Sequence, residues 1–200
     1  MVRGLSYLCI MEMREKAAAV KTVLEELDTA IAQFQSWSTL HCKNGCGKCC
    51  FKPDIEATAL EFLPFAQHLY DQGQALAWHE KLSATTDPLC VILNPTQSGA
   101  GLCSEYPYRG LICRLFGYSA RVNKYGAREL VTCQVIKTEQ EEAYTDATRQ
   151  IEGGAELPVM NQYYMRLHAV DPDLAREFYP INGAIKRALE TVLQYYAYRE

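Results

Sequence analysis

The sequence lacks any cluster of positive charge. Its formal net charge is −4, and its lysines and arginines are spread along the chain instead of gathering on one segment. Proteins that bind nucleic acids or anionic membranes concentrate these residues in a basic patch that attracts phosphate groups. We therefore expect no nucleic-acid partner.

Long apolar runs and a secretion signal are also missing. No apolar run approaches the roughly 18 residues that a membrane-spanning helix requires. The apolar residues 4–11 follow a single Arg3, lack a small-x-small cleavage site and pass directly into a charged segment. We therefore expect a cytoplasmic protein with no membrane partner, in a reducing compartment where cysteines stay free of disulfides.

The chain contains no internal repeat and no low-complexity tract. Its 200 residues, 48% of them hydrophobic, suffice for one domain with a buried core. We predict a single domain over residues 1–200, made of an N-terminal helix, a cysteine-rich core and C-terminal helices, at residues 12–38, 40–135 and 136–200.

The hydrophobic pattern predicts helices around an irregular centre. Apolar residues recur at alternating steps of four and three in the first helix, at Val20, Leu24, Leu27, Ile31 and Phe34. The capping-box spacing of Thr58 and Glu61 indicates the start of a second helical region that runs to about residue 82. Residues 118–122 and 129–135 flank a turn and predict a β-hairpin. The fold class is therefore mostly α with a small irregular β part (α+β).

Nine cysteines are the strongest functional signal. Residues 1–10 are interpreted as an extended or misassigned start, and their lone Cys9 is left out of the site. Thiols crowded together in a reducing compartment are favoured as ligands, because a soft metal ion or an iron–sulfur core stabilises the thiolate. The predicted metal ligands are the other eight: Cys42, Cys46, Cys49, Cys50, Cys90, Cys103, Cys113 and Cys133.

The sequence leaves open how these thiols share metal. Two zinc ions with four thiolates each would use all eight, whereas one 4Fe-4S cluster would use four and leave four to explain. Adjacent side chains in an extended segment point to opposite sides, so we do not expect Cys49 and Cys50 to bind one ion. Two alternatives stay open: two metal centres, or a cluster on one side and an ion or an outer contact on the other. His41 adjoins Cys42 and is a further candidate ligand, but the eight thiols make it dispensable.

Arg109 and Arg114, beside Cys113, are candidate cofactor-binding residues. A metal held by four thiolates carries surplus negative charge, which nearby cations offset; a structural salt bridge explains the two arginines equally well. Glu56 and Glu61 lie at the start of the second helical region, where a helix cap is a better explanation than acid–base chemistry. No catalytic residue is assigned.

Three segments and one late cysteine resemble the YkgJ-type cysteine-cluster family, whose signature is CxxCxxCC with eight shared cysteines. They are Cys42-Lys-Asn-Gly-Cys46-Gly-Lys-Cys49-Cys50, residues 90–93, residues 103–114 and Cys133. The resemblance implies chelation of zinc or iron. Val91 and Gly110 stand where such proteins usually carry proline, which reduces the expected rigidity of the loops.

Two functions stay open. The first is a metal-binding module for storage, delivery, sensing or stabilisation of its own fold. The second is an iron–sulfur-dependent enzyme of redox or group-transfer type, because some relatives are linked to flagellin lysine methylation; that transfer is an analogy. The spacing of Cys42, Cys46 and Cys49 also occurs in radical S-adenosylmethionine enzymes. Here a helix precedes it, Lys48 replaces the usual aromatic and Cys50 follows at once, so we disfavour that class. The sequence identifies no protein partner.

Overall fold

The computed structural model of the protein describes residues 11–43, 45–97 and 100–199. Predictions for residues 1–10, including Cys9, lie outside these ranges. The helices are α1 Met13–Ser38, α2 Leu63–Asp71, α3 Ala75–Ala84, α4 Leu111–Leu115, α5 Gln134–Glu139, α6 Glu141–Glu152, α7 Met160–Val170, α8 Pro172–Arg176 and α9 Ile181–Ala197. None of the helices in the described ranges has both the length and the apolar character needed to cross a membrane.

The strands form short antiparallel pairs. They are β1 (Glu56–Thr58) with β6 (Phe178–Pro180), β2 (Leu93–Gln97) with β3 (Ala100–Cys103), and β4 (Ser119–Val122) with β5 (Arg128–Val131). Helices dominate and the sheets are small. The predicted fold class is confirmed.

The first helix follows the predicted periodicity. A capping box between Glu12 and Glu15 begins α1, and Thr39, in the left-handed conformation, ends it by donating its N–H to the Gln35 carbonyl at 3.0 Å. Its apolar stripe is buried against α2 and α7, with Val20 and Leu27 fully inaccessible. The cysteine-rich loop therefore follows a helix that is packed firmly against the core.

Buried side chains form two cores. The larger core joins α1, α2, α4, α7 and α9, and its centre includes Leu63, Ile185 and Leu189. The smaller core joins the end of α1 to the β4–β5 hairpin and to α5 and α6; its buried members are Phe34, Leu40, Ala120, Ile136, Ala147, Ile151 and Leu157. The cysteine-rich loop begins directly after Leu40, which belongs to the smaller core.

The second helical region is divided into a 3-10 helix and the helices α2 and α3. The capping box of Thr58 and Glu61 is present, but it opens a 3-10 helix, Ala59–Phe62. Proline is favoured in the first turn of a helix, where its missing N–H has no partner to lose, and Pro64 occupies that place in α2. Gly73, with φ of +68°, separates α2 from α3.

The predicted β-hairpin is confirmed as β4–β5. Its second strand is shorter than expected because Cys133 begins α5. The hairpin β2–β3 includes a proline. Proline is confined to edge strands and irregular positions of a sheet, and Pro95 lies in β2 beside a shift in register.

Candidate metal centre

The first end of the cysteine-rich loop is fixed beside α5. The Gln140 side chain bonds both polar groups of the His41 backbone, accepting from its N–H at 3.0 Å and donating to its carbonyl at 2.7 Å. The Cys42 N–H donates to the Tyr118 hydroxyl at 2.6 Å. Because Gln140 caps the end of α5 and Cys133 caps its start, these bonds bring Cys42 to the part of the fold that carries Cys133.

The other end of the loop lies against β3. The Gly101 N–H donates to the Gly45 carbonyl at 3.3 Å. Gly47 approaches more closely, since a Cβ at this position would lie 2.5 Å from the Gly101 oxygen. The loop therefore bridges the α5 side of the molecule and the β2–β3 hairpin, which ends at Cys103.

Two tight turns fold the loop between these anchors. The Cys46 N–H donates to the Lys43 carbonyl at 3.1 Å, and the Cys50 N–H donates to the Gly47 carbonyl at 2.8 Å. The second turn makes the extended-backbone premise wrong for Cys49 and Cys50. Their sulfur atoms are only 4.0 Å apart, not on opposite sides.

The neighbouring thiols polarise each other. A hydrogen bond from Cys50 lowers the pKa of Cys49 to about 6, and the same bond, with burial, raises the pKa of Cys50. Cys49 is also exposed. The thiolate is the form that binds a metal, so Cys49 is the thiol most ready to accept one at neutral pH.

Cys90, Cys103 and Cys113 pack against the larger core. Cys103 pairs with Leu93 across the β2–β3 hairpin, and the Leu93 N–H donates to the Cys90 carbonyl at 2.9 Å. Burial raises the pKa of Cys90 to about 11 and also raises that of Cys113. The charge of Cys103 adds to both effects, which indicates that the three thiols are within interaction range.

A buried carboxylate positions Cys113. Glu61 is 1% exposed; it accepts from the Thr58 N–H at 2.8 Å and from the Ile112 N–H at 2.9 Å. Burial raises its pKa to about 7. Glu61 thus caps two elements, as its sequence position indicated, while Glu56 is exposed on β1. A Cβ on Gly110 would meet the Phe62 ring at 2.8 Å, so glycine here allows this packing.

Cys133 belongs to the smaller core. Its sulfur accepts from the Ile136 N–H at 3.5 Å at the start of α5. Burial is the largest cause that raises the pKa of Cys42 to about 11, and the charges of Cys46, Cys49 and Cys133 contribute to that rise. Cys42 therefore has its thiol neighbours in its own loop and in Cys133.

The two arginines occupy different roles. Arg114 is buried and donates to the Arg109 carbonyl at 3.0 Å, to the Pro107 carbonyl at 2.7 Å and to Asp28. The Arg114 guanidinium therefore forms a clamp that joins α4 to α1. The Arg109 guanidinium stacks on the Tyr106 ring at 3.7 Å, and among the described residues its buried Nε has no hydrogen-bond partner.

Burial raises the pKa of Cys103 and both arginines oppose that rise, and Arg109 also acts on other thiols. Its positive charge opposes the effect of burial on the pKa values of Cys42, Cys103 and Cys113, and contributes to the lowered pKa of Cys49. Lys43, by contrast, pairs with Glu139 at 3.6 Å, and His41 is exposed.

The sulfur atoms of the thiols do not converge on one point. Within residues 11–43, 45–97 and 100–199, no three His, Cys, Asp or Glu side chains are already placed to hold a metal ion. Thiolates bind zinc at about 2.3 Å, so binding requires the side chains to turn inward or the loop to shift.

These features define a class of protein. It is mostly helical, and its described residues include eight free thiols, four of them in one loop that bridges two parts of the fold. The family model CxxCxxCC, described as "Putative zinc- or iron-chelating domain", matches residues 41–148, just over half of the chain. The protein belongs to this family. No match was found among curated proteins or among solved structures.

Gly47→Ala is expected to weaken zinc binding by about tenfold or more. A left-handed backbone with a Cβ costs about 1–2 kcal/mol, and at Gly47 the added atom also collides with the Gly101 backbone. Gly45→Ala is the matched control, because Gly45 has a similar φ of +71° but its nearest neighbour would be 3.9 Å away. Competition with a chromogenic chelator measures both affinities; equal losses in the two variants would contradict the contact argument.

Proposed function

We propose that the protein binds zinc or iron through all eight of these thiolates and serves as a metal-binding module. The observation that carries the proposal is that segments up to 99 positions apart in the chain meet at one loop, through the Gln140, Tyr118 and Gly101 contacts. Such long-range anchoring of a cysteine-rich loop is what a shared metal site requires.

The free state of the thiols supports a metal in place of disulfides. All eight are free, and burial raises the pKa values of four of them, Cys42, Cys90, Cys103 and Cys113. A metal ion displaces the thiol protons and supplies the positive charge that the thiolates lack. Arg109 offsets part of the negative charge that remains.

Exposure favours storage or delivery over a purely structural role. Cys42 and Cys49 are exposed, whereas the remaining thiols are partly buried. A site with ligands at the surface gives a metal a path in and out, as exchange with a donor or acceptor requires.

Metal analysis of protein purified without oxygen tests the proposal. We expect zinc or iron in stoichiometric amount, and we expect Cys9→Ser, outside the proposed ligand set, to retain it. A colourless sample with zinc and no labile sulfide assigns a zinc-thiolate site. A brown sample with iron and sulfide assigns an iron–sulfur cluster and favours the alternative of an iron–sulfur-dependent enzyme. A sample with neither metal, even after reconstitution, refutes the proposal.

A further inference from the structure

We propose that the eight thiols form two separate four-thiolate sites that meet at the adjacent pair Cys49 and Cys50. The first site consists of Cys42, Cys46, Cys49 and Cys133. The second consists of Cys50, Cys90, Cys103 and Cys113. This inference depends on the proposed function and specifies how its ligands are divided.

The first site is organised on the smaller core. Hydrogen bonds with Tyr118 and Gln140 hold residues 41 and 42 beside α5, where Cys133 caps the helix and packs on that core. The Cys46 N–H donates to the carbonyl of Lys43, and this turn keeps Cys46 close to the residue that follows Cys42. Cys49 completes the set.

The second site is organised on the larger core. Cys90, Cys103 and Cys113 all pack against it. The β2–β3 register and the bond from Leu93 to Cys90 fix two of them at one end of the hairpin, and Glu61 fixes the helix that carries the third.

The tight turn at Gly47 explains why neighbouring residues belong to different sites. It leaves the two sulfur atoms 4.0 Å apart near the end of the loop. The start of the loop is bonded to Tyr118 and Gln140 beside the smaller core, whereas the chain after Cys50 leads to Ile55, which packs against the larger core.

Arg109 is a cation that two negatively charged sites could use. Its guanidinium is held over the Tyr106 ring, and among the described residues its buried Nε has no hydrogen-bond partner, whereas Arg114 is bonded to Asp28 and two carbonyls. Two zinc ions with four thiolates each carry two negative charges apiece, and a nearby arginine offsets part of that charge.

Zinc titration of the metal-free full-length protein tests the division without any substitution. The thiols are alkylated at increasing zinc, and mass spectrometry reports the protection of each. We expect two zinc ions per chain, and the members of each set of four to become protected together. Protection of all eight in one step, with one zinc per chain, would overturn the division.

Paired substitutions provide the second test. Cys42→Ser with Cys133→Ser breaks only the first site, so this variant should retain one zinc per chain and protect the second set. Cys103→Ser with Cys133→Ser removes the same number of thiols but breaks both sites, so zinc binding should fall at least about tenfold at each. Circular dichroism checks that both variants keep their helices.

The outcomes separate this inference from the proposed function. If the wild-type protein binds neither zinc nor iron, both fail. If it binds zinc but the two paired variants lose the same amount, or if Cys133 is protected together with Cys90, only the division fails.

Discussion

Removal of the metal is expected to loosen residues 41–52 and 89–103 while the helices of the larger core stay folded. That core contains many fully buried apolar side chains from α1, α2 and α9, including Leu27, Leu63 and Leu189, so it has its own hydrophobic stabilisation. The loop and the β2–β3 hairpin have few such side chains. Zinc held by cysteine and histidine contributes roughly 10–16 kcal/mol in small folding units. We expect the loop and the β2–β3 hairpin to depend on bound metal more than the helices do.

Hydrogen exchange and thermal melting measure the effect. A loss of only about 4 kcal/mol would lower the melting temperature by roughly 10 °C in a chain of this size, whereas the helical circular dichroism at low temperature should change little. Amide protection should fall at the loop and hairpin and stay high in α1 and α9. Unchanged melting and exchange after chelation would show that the thiols need no metal, and complete loss of helicity would show that the larger core does not stand alone.

Local patterns in the sequence were sufficient for the elements that depend on near neighbours. The apolar period of α1 and the turn between β4 and β5 are set by residues close in the chain, and both elements are present. The eight thiols were likewise visible as a set. What the sequence did not reveal depends on contacts between distant residues.

The strands β1 and β6 illustrate this limit. Each has three residues, and they pair across more than a hundred positions, from Glu56 to Pro180; neither is long enough to show an alternating pattern. The turn at Gly47 is another case. The extended premise for Cys49 and Cys50 was wrong because the approach of Gly47 to Gly101 requires a folded loop.

The grouping of the thiols has the same origin. Cys42 and Cys133 are related through Tyr118 and Gln140, two side chains with no metal-binding chemistry of their own. Spacing alone gives no signal for them. A polar side chain that bonds the backbone of a ligand loop becomes recognisable only when the fold brings it there.

Arg114 shows how such a contact stabilises the centre. Its guanidinium bonds Asp28 of α1 and the carbonyls of Pro107 and Arg109, so it joins the segment before Cys113 to the first helix. The partner Asp28 is half exposed and would regain water if the arginine were lost. The carbonyls contacted by the buried guanidinium would lose strong donors, at about 1–3 kcal/mol for each acceptor left buried.

Arg114→Ala is therefore expected to lower the free energy of unfolding by roughly 2–4 kcal/mol, measured by urea denaturation of the metal-loaded protein. Arg149→Ala is the matched control: Arg149 pairs with Asp146 at 2.9 Å on the surface, and exposed pairs contribute about 0–1 kcal/mol. Arg114→Lys keeps the charge but lacks the planar fork that reaches all three acceptors, so it should restore only part of the loss. Equal stability of Arg114→Ala and Arg149→Ala would mean that the clamp is not needed, and the position of Cys113 would then depend on Glu61 and the larger core.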